Sequence, residues 1–387
     1  MWKFPVFPEG SWLDEKRCRL CGARSRTISE VIGVCAECLR EVPGEALRVA
    51  MEAHERSRGM WGLPVEPPRD PKGVRCGLCA LECRIPEGGL GFCGLVANRG
   101  GRLEYLSGAP EYGVLEWYYD PLPTNCVAEW FCPGCTGRGY PRFALRRGVE
   151  FGYKNLAVFY GACNLDCLFC QNWHYHQLTA RMSPRVHYKD LASRVRGDVT
   201  CICFFGGDPG PQLLHAIRVS REAMALRGNR LLRICWETNG QMNKGLLRVV
   251  TDLSLESGGI VKFDLKAWTP SIYKALTGVD PGSLYSNARY VAERAPERPE
   301  VPLFTASTLL VPGYVDVEEV RQIAAFLASI DPDIPYSLLA FHPDYLLHDL
   351  PPTSTDHALK ALRAAREEGL RNVNIGNRML LGDYYSV

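Results

Sequence analysis

The 387-residue sequence contains no run of 18 apolar residues, the length a helix needs to cross a bilayer, so no membrane span is expected. The N-terminus, MWKFPVFPEGSW, lacks the basic start and the apolar stretch of a secretory signal, and a cytoplasmic location is expected. Excess charge of one sign is missing too: 45 Lys and Arg against 43 Asp and Glu leave a net charge of +2. That balance does not favour a bulk electrostatic nucleic-acid binder, although a local basic groove stays open, because a net figure hides local asymmetry. With 46% hydrophobic residues the chain can bury a sizeable core, and its length suggests two or three domains.

Cysteine is what the sequence has in excess. There are 17, an odd number in a long chain, and they come in short-spaced groups rather than as a disulfide framework. Disulfides between residues two or three apart are geometrically awkward, so metal ligation is the better reading. The first group is Cys18, Cys21, Cys35 and Cys38. Two such knuckles can present four thiolates tetrahedrally, as structural zinc requires. A helix is predicted from roughly Pro43 to Arg58, then an extended proline-rich linker from Leu63 to Pro71. Residues 1–62 thus read as a zinc-ribbon-like segment plus helix, and 63–150 as a Cys-rich accessory region. The second group, Cys76, Cys79, Cys83 and Cys93, is preceded at its last member by Gly88, Gly89 and Gly91, which suit a tight returning loop. Its four thiolates suit zinc and an auxiliary iron–sulfur cluster equally. A third group, Cys126, Cys132 and Cys135, lacks an obvious fourth ligand.

From about residue 151 to 387 the pattern alternates apolar strands with amphipathic helices. Strands are predicted at 155–160, 201–205, 231–237, 260–265, 303–311, 335–341 and 371–375, with helices such as 211–227, 243–252, 316–330 and 355–368 between them. The fold class is α/β, a parallel sheet open or curled into a partial barrel, with reactive groups expected at the carboxyl ends of the strands. Directly after the first of these strands, Cys163, Cys167 and Cys170 stand in a loop at x3 and x2 spacing. Three thiolates can hold three irons of a cubane and leave the fourth iron open to a small molecule. A zinc site completed by His174 or His176 is the alternative from spacing alone.

The run CNLDCLFCQN resembles the cluster motif of the radical S-adenosylmethionine (SAM) superfamily, and in particular activases of the pyruvate formate-lyase activating type. RCGLCALECRIPEGGLGFCG, LLVPGYVD and AFHPDY are similar to the radical SAM member associated with AMMECR1 and Memo proteins, so that the resemblance spans about residues 72–387. It implies a partial (β/α)6 barrel of the TIM type, preceded by Cys-rich metal-binding segments. It also implies a [4Fe–4S] cluster on Cys163, Cys167 and Cys170, and SAM bound by Gly206, Gly207, Asp208, Glu237, Thr238, Asn239, Asp264, Lys266 and His342. Asp208 stands where the family has glutamate, and Glu237 where the activase has aspartate beside a monovalent cation. Val311-Pro312-Gly313 resembles the loop near the adenine, and Ile375-Gly376-Asn377 would close the pocket.

The implied chemistry is reductive cleavage of SAM to methionine and a 5′-deoxyadenosyl radical that takes hydrogen from a substrate, fed by a ferredoxin- or flavodoxin-type electron donor. A protein substrate is the leading expectation. Alternatives are a small molecule, nucleoside or RNA gripped by the N-terminal region, with Arg17, Arg19, Arg24 and Arg26 for phosphate contact, and an inactive metal-stabilised interaction module. The aromatic, proline-rich stretch from Tyr118 to Trp130 reads as a lid or docking surface. No cobalamin-binding segment is expected after Asn377.

Overall fold

The computed structural model describes residues 11–124 and 126–387; the first ten residues, where the leader reading falls, lie outside them. The main sheet has nine strands, numbered here β1 (Tyr112–Pro121), β2 (Lys154–Tyr160), β3 (Arg185–His187), β4 (Val199–Gly206), β5 (Arg233–Thr238), β6 (Val261–Asp264), β7 (Phe304–Leu310), β8 (Tyr336–Ala340) and β9 (Val373–Gly376). Their spatial order is β9-β8-β7-β6-β5-β4-β2-β1-β3. The seven strands from β2 to β9, β3 aside, pair in parallel. The observed fold is mixed α/β with a parallel sheet, and each of the seven predicted strands is present within about two residues of its expected ends.

The strands are nearly continuous apolar runs because both faces of a parallel sheet are covered. In β4, VTCICFFG, all but Phe205 are buried. Alternation then sorts the side chains. Phe204 and Trp236 face the helical layer and stack 4.7 Å apart. Cys203 and Cys235 pair across β4 and β5, and Glu237 pairs with Lys262 across β5 and β6. A lysine thus stands beside a glutamate in the sheet, on the same strand face as Asp264 two residues on.

Two features extend the expected six-stranded half-barrel. β9 adds a seventh parallel strand, and β1 lies antiparallel along the whole length of β2, from Leu115 opposite Tyr160 to Pro121 opposite Lys154. β1 comes from the Cys-rich accessory stretch, so Tyr118–Pro121 belongs to the sheet instead of forming a lid. Beyond it the chain turns into the barrel: Ser337 on β8 donates to the Val127 carbonyl (3.1 Å) and receives a bond from Trp130 Nε1 (3.2 Å).

This inserted segment is fastened by a buried ion pair. Glu150 and Arg233 form two bonds of 2.6 and 2.8 Å. Thr200 Oγ1 (2.9 Å) and the Leu145 N–H (2.9 Å) donate to the same carboxylate, and Arg233 also donates to the Phe143 carbonyl (3.0 Å). Burial alone would raise the Glu150 pKa; the Arg233 bonds and charge outweigh it and hold the carboxyl below its ordinary range.

The N-terminal segment packs against the loops around Asp166, Tyr314 and Asp349. The helix Pro43–Gly59 is almost uncharged on its inner face, where Ala46, Ala50, Ala53, His54 and Ser57 are buried. Tyr314 OH donates to the Val34 carbonyl (2.8 Å) and accepts from the Ser29 N–H (3.0 Å). Asp349 accepts from Ser29 Oγ (3.0 Å) and the Glu30 N–H (2.6 Å). A Cβ on Gly313 would meet the Thr27 carbonyl at 2.1 Å, so the Val311-Pro312-Gly313 turn is shaped by this contact.

Replacing Glu150 with alanine leaves Arg233 buried without a counter-charge, and a loss of about 3–5 kcal/mol is expected in urea denaturation. The wild-type contribution is complete above the unfolded glutamate pKa of about 4.3. It disappears as pH falls through the lower folded value, so the variant's stability deficit shrinks in acid.

Candidate active site

The cluster loop leaves β2 at Tyr160 and is held from several directions. The Asp166 N–H donates to the Thr277 carbonyl (2.8 Å) and Leu168 N–H to the Leu276 carbonyl (3.1 Å). The Asp166 carboxylate is fully buried and receives His54 Nδ1 (2.8 Å) and Ser57 Oγ (2.8 Å) from the N-terminal helix. Tyr345 OH lies 2.8 Å from the same serine hydroxyl. Burial would push the Asp166 pKa up; the His54 hydrogen bond and charge reverse this and lower it.

Cys163, Cys167 and Cys170 line one cavity of about 250 Å³ together with Gly206, Gly207, Asp208, Glu237, Thr238, Asn239, Asp264 and Lys266. Sequence-predicted residues from four separate loops therefore meet at the carboxyl ends of β2, β4, β5 and β6. His342 does not join them. Its side chain is 51% exposed and pairs with Asp344 at 3.1 Å. His174 and His176 are taken up by aromatic stacks, His174 on Phe159 (4.4 Å) and His176 among Trp61, Tyr175 and Tyr345. Ile375 is buried in the core, and Asn377 adopts a left-handed conformation outside the cavity lining.

The two glycines are required by the chain itself. Gly206 has φ +114°, and a Cβ there would meet the Tyr160 backbone at 2.5 Å; one on Gly207 would meet the Ala162 carbonyl at 2.1 Å. The turn after β4 is pressed onto the start of the cluster loop, tied by Gly207 N–H to Tyr160 O (2.9 Å) and Asp208 N–H to Ala162 O (3.0 Å). Asp208 is buried and turned to its neighbours. It accepts from Thr238 Oγ1 (2.9 Å), the Asn239 N–H (2.7 Å) and the Gly210 N–H (2.7 Å). Burial pushes its pKa up to about 6, against the pull of these donors. It joins the loop after β4 to the loop after β5. Asn239 continues the chain, donating to Asn164 Oδ1 at 2.7 Å.

The charged floor of the cavity was only partly foreseen. Lys262 Nζ reaches Glu237 Oε1 (2.6 Å), Cys126 Sγ (2.8 Å) and Cys203 Sγ (3.4 Å), so Glu237 already holds a cation supplied by the protein. Lys262 was missed in the sequence, although a lysine two residues before Asp264 in an apolar strand must share its face. Lys266 pairs with Asp264 Oδ2; burial would lower the lysine pKa, but Asp264 and the nearby thiols raise it, so it stays an ammonium. Asp264 Oδ1 is buried with no hydrogen-bond partner, an acceptor left for a ligand. Burial raises all three cluster-loop thiols, with Lys266 pulling Cys167 and Cys170 back. Three converging thiols, an unpartnered carboxylate oxygen and a buried ammonium suit an open-iron cluster and an amino-acid-like ligand.

Cys18, Cys21, Cys35 and Cys38 lie apart from this cavity, with all four sulfurs within 4.8 Å of one another. The Cys18–Cys38 and Cys21–Cys35 separations are both 3.7 Å. Metal–sulfur bonds of about 2.3 Å give a tetrahedron with edges of about 3.8 Å, so the four thiols fit one ion. Cys76, Cys79 and Cys83 are buried and Cys93 half-buried, in a hairpin closed by Cys76 N–H to Cys83 O (2.8 Å).

The model of the Radical SAM superfamily matches residues 157–327 of this chain. An uncharacterized protein of Methanocaldococcus jannaschii is 27% identical over 320 residues, covering 80% of this chain and 82% of its own. The isethionate sulfite-lyase activating enzyme of Desulfovibrio desulfuricans is 32% identical over 162 residues, 41% of this chain and 46% of that enzyme; the match thus spans about half of that relative's length. Among solved structures, a domain of pyruvate-formate lyase-activating enzyme from Bacteroides vulgatus aligns with 22% identity and a TM-score of 0.36, over 45% of this chain and 98% of that one.

Gly207→Ala is expected to force the cluster loop off the turn after β4. Because the obstacle is a backbone carbonyl, the melting temperature should fall and the iron bound on anaerobic reconstitution should drop below that of the wild type.

Proposed function

We propose that Cys163, Cys167 and Cys170 ligate three irons of a [4Fe–4S] cluster, and that the adjoining cavity takes SAM. The single observation that carries this reading is the meeting of those three thiols with Asp264 and Lys266 in one cavity. When bound, the reduced cluster with SAM supplies a 5′-deoxyadenosyl radical that removes hydrogen from a substrate. The chain's own part is to hold and shield. Lys266 balances the ligand carboxylate, Asp264 Oδ1 accepts from a ligand N–H or a small cation, and Asp208 keeps the loops after β4 and β5 in register. The turn at Gly206 and Gly207 supplies backbone to the ligand's amino end, and Thr238 and Asn239 line the wall between the two. His342 falls outside this assignment.

The substrate we propose is a protein. The 32% identity shared with an activating enzyme over 162 residues supports it, and a low-potential donor of the ferredoxin or flavodoxin class would supply the electron. The reading in which the N-terminal segment grips RNA finds less support. That segment is hydrogen-bonded into the barrel through Tyr314, Asp349 and Asp166, and Arg19 is engaged by Glu52. We assign zinc to Cys18, Cys21, Cys35 and Cys38 on their 3.7 Å sulfur spacing.

Anaerobic protein incubated with dithionite and SAM should release 5′-deoxyadenosine, and Cys163→Ala should abolish it; equal release by wild type and variant would exclude the assignment. Asp264→Asn should keep the cluster's iron but weaken SAM binding about tenfold, roughly 1.4 kcal/mol, read by equilibrium dialysis. For the protein substrate, extract that stimulates 5′-deoxyadenosine formation should keep that ability through dialysis and lose it to protease. Stimulation that dialyses away, or that ribonuclease removes, points to the other substrate classes.

A further inference from the structure

We propose that Cys76, Cys79, Cys83 and Cys93 hold a second iron–sulfur cluster that exchanges an electron with the cluster at Cys163, Cys167 and Cys170; the relay, though not the metal site, rests on the function proposed above.

The hairpin Val74–Arg75 and Arg84–Ile85 sets Cys76 beside Cys83, and Cys79 sits at the turn between them. Cys93 is returned by a tight loop, with Gly91 N–H to Val96 O (2.8 Å) and Gly94 N–H to Gly91 O (2.9 Å). Gly94 has φ +77°, and a Cβ there would meet Leu63 at 2.6 Å. Their sulfurs are spaced more widely than those of the first group. Among the described residues, only Cys18, Cys21, Cys35 and Cys38 bring their sulfurs within 4.8 Å of one another. Four thiolates sharing one zinc must stand at that short distance, whereas a cubane gives each cysteine its own iron and spreads the sulfurs. The second group shares the wider arrangement with the cluster-loop cysteines.

Positive charge is built in beside it. Arg58 is buried, lies 3.6 Å from the Phe92 ring centroid and donates to the Phe92 carbonyl next to Cys93. Arg69 donates to the Leu81 carbonyl (2.6 Å) between Cys79 and Cys83. A four-thiolate cluster carries net negative charge, and two guanidinium groups offset it.

Location gives the site its role. Cys79 forms a β-bridge with Met242, and the Ala80 N–H donates to the Gln241 carbonyl at 3.1 Å. The same carbonyl accepts from Asn164 Nδ2 at 2.9 Å, and Asn164 follows Cys163 in the chain. One oxygen atom therefore joins the two cysteine loops. A cluster held by Cys76, Cys79, Cys83 and Cys93 would be placed to give one electron to a cluster held by Cys163, Cys167 and Cys170, and a one-electron donor of the ferredoxin or flavodoxin class would replace that electron.

The test is the full-length Cys163→Ala/Cys167→Ala/Cys170→Ala variant, reconstituted anaerobically with iron and sulfide and compared with the wild type. The proposal expects ~8 irons per wild-type chain and ~4 in the variant, the latter giving a paramagnetic signal after dithionite that SAM leaves unchanged. Iron absent from the variant, with zinc recovered at about two per chain, overturns it. Because the variant lacks the SAM site, this result does not depend on SAM cleavage by the wild type. Should the variant melt well below the wild type, Cys76→Ala/Cys79→Ala/Cys83→Ala/Cys93→Ala in the otherwise intact chain decides. Iron falling by about half while the SAM-responsive signal persists supports the proposal, and unchanged iron overturns it.

Discussion

The arrangement depends on one buried carboxylate. Asp166 lies within the cysteine loop, and its charge has no access to water. Such a group is tolerable only when its partners are in place, and the main ones, His54 and Ser57, come from a helix more than a hundred residues earlier in the chain. The constraint works in both directions. The helix must dock for the loop to close, and the loop must close for the buried histidine and serine to be satisfied. The N-terminal four-cysteine group, with its sulfurs within 4.8 Å of one another, lies in the segment that leads into this helix.

A second electrostatic arrangement governs the cavity floor. Glu237 and Lys262 are cross-strand neighbours, and Cys126 arrives from the inserted segment to complete the contact. Removing any one of these leaves a charge or thiol without its partner in a site shielded from solvent. Asp264 and Lys266 form a second pair lining the same cavity, with one carboxylate oxygen still uncommitted. The Glu237–Lys262 pair is internally neutralised, while Asp264 keeps an acceptor for a ligand.

Much of this was legible before any coordinates. Strand periodicity located all seven parallel strands, because each is a short apolar run bounded by polar turns. The cavity residues Gly206, Gly207, Asp208, Glu237, Thr238, Asn239, Asp264 and Lys266 were named through the resemblance of their motifs to the family, and each lies in the last residues of a strand or just beyond it. His342 follows a strand in the same way and still turns outward, since adjacency in sequence does not set the direction of an exposed loop. The antiparallel β1 was hidden in a stretch dense with aromatic residues and proline, where the Tyr118–Pro121 run gives no clear alternation. The bonds from His54 and Ser57 to Asp166 were invisible for another reason. Contacts across a hundred residues leave no local pattern.

The central claim is that an open iron at Cys163, Cys167 and Cys170 shares its cavity with the amino and carboxylate ends of SAM. Pulsed electron–nuclear double resonance on the reduced protein with SAM labelled at the amino nitrogen and carboxyl carbon measures this directly. The account predicts hyperfine coupling of the cluster to both labels. A cluster signal coupled to neither label would contradict it.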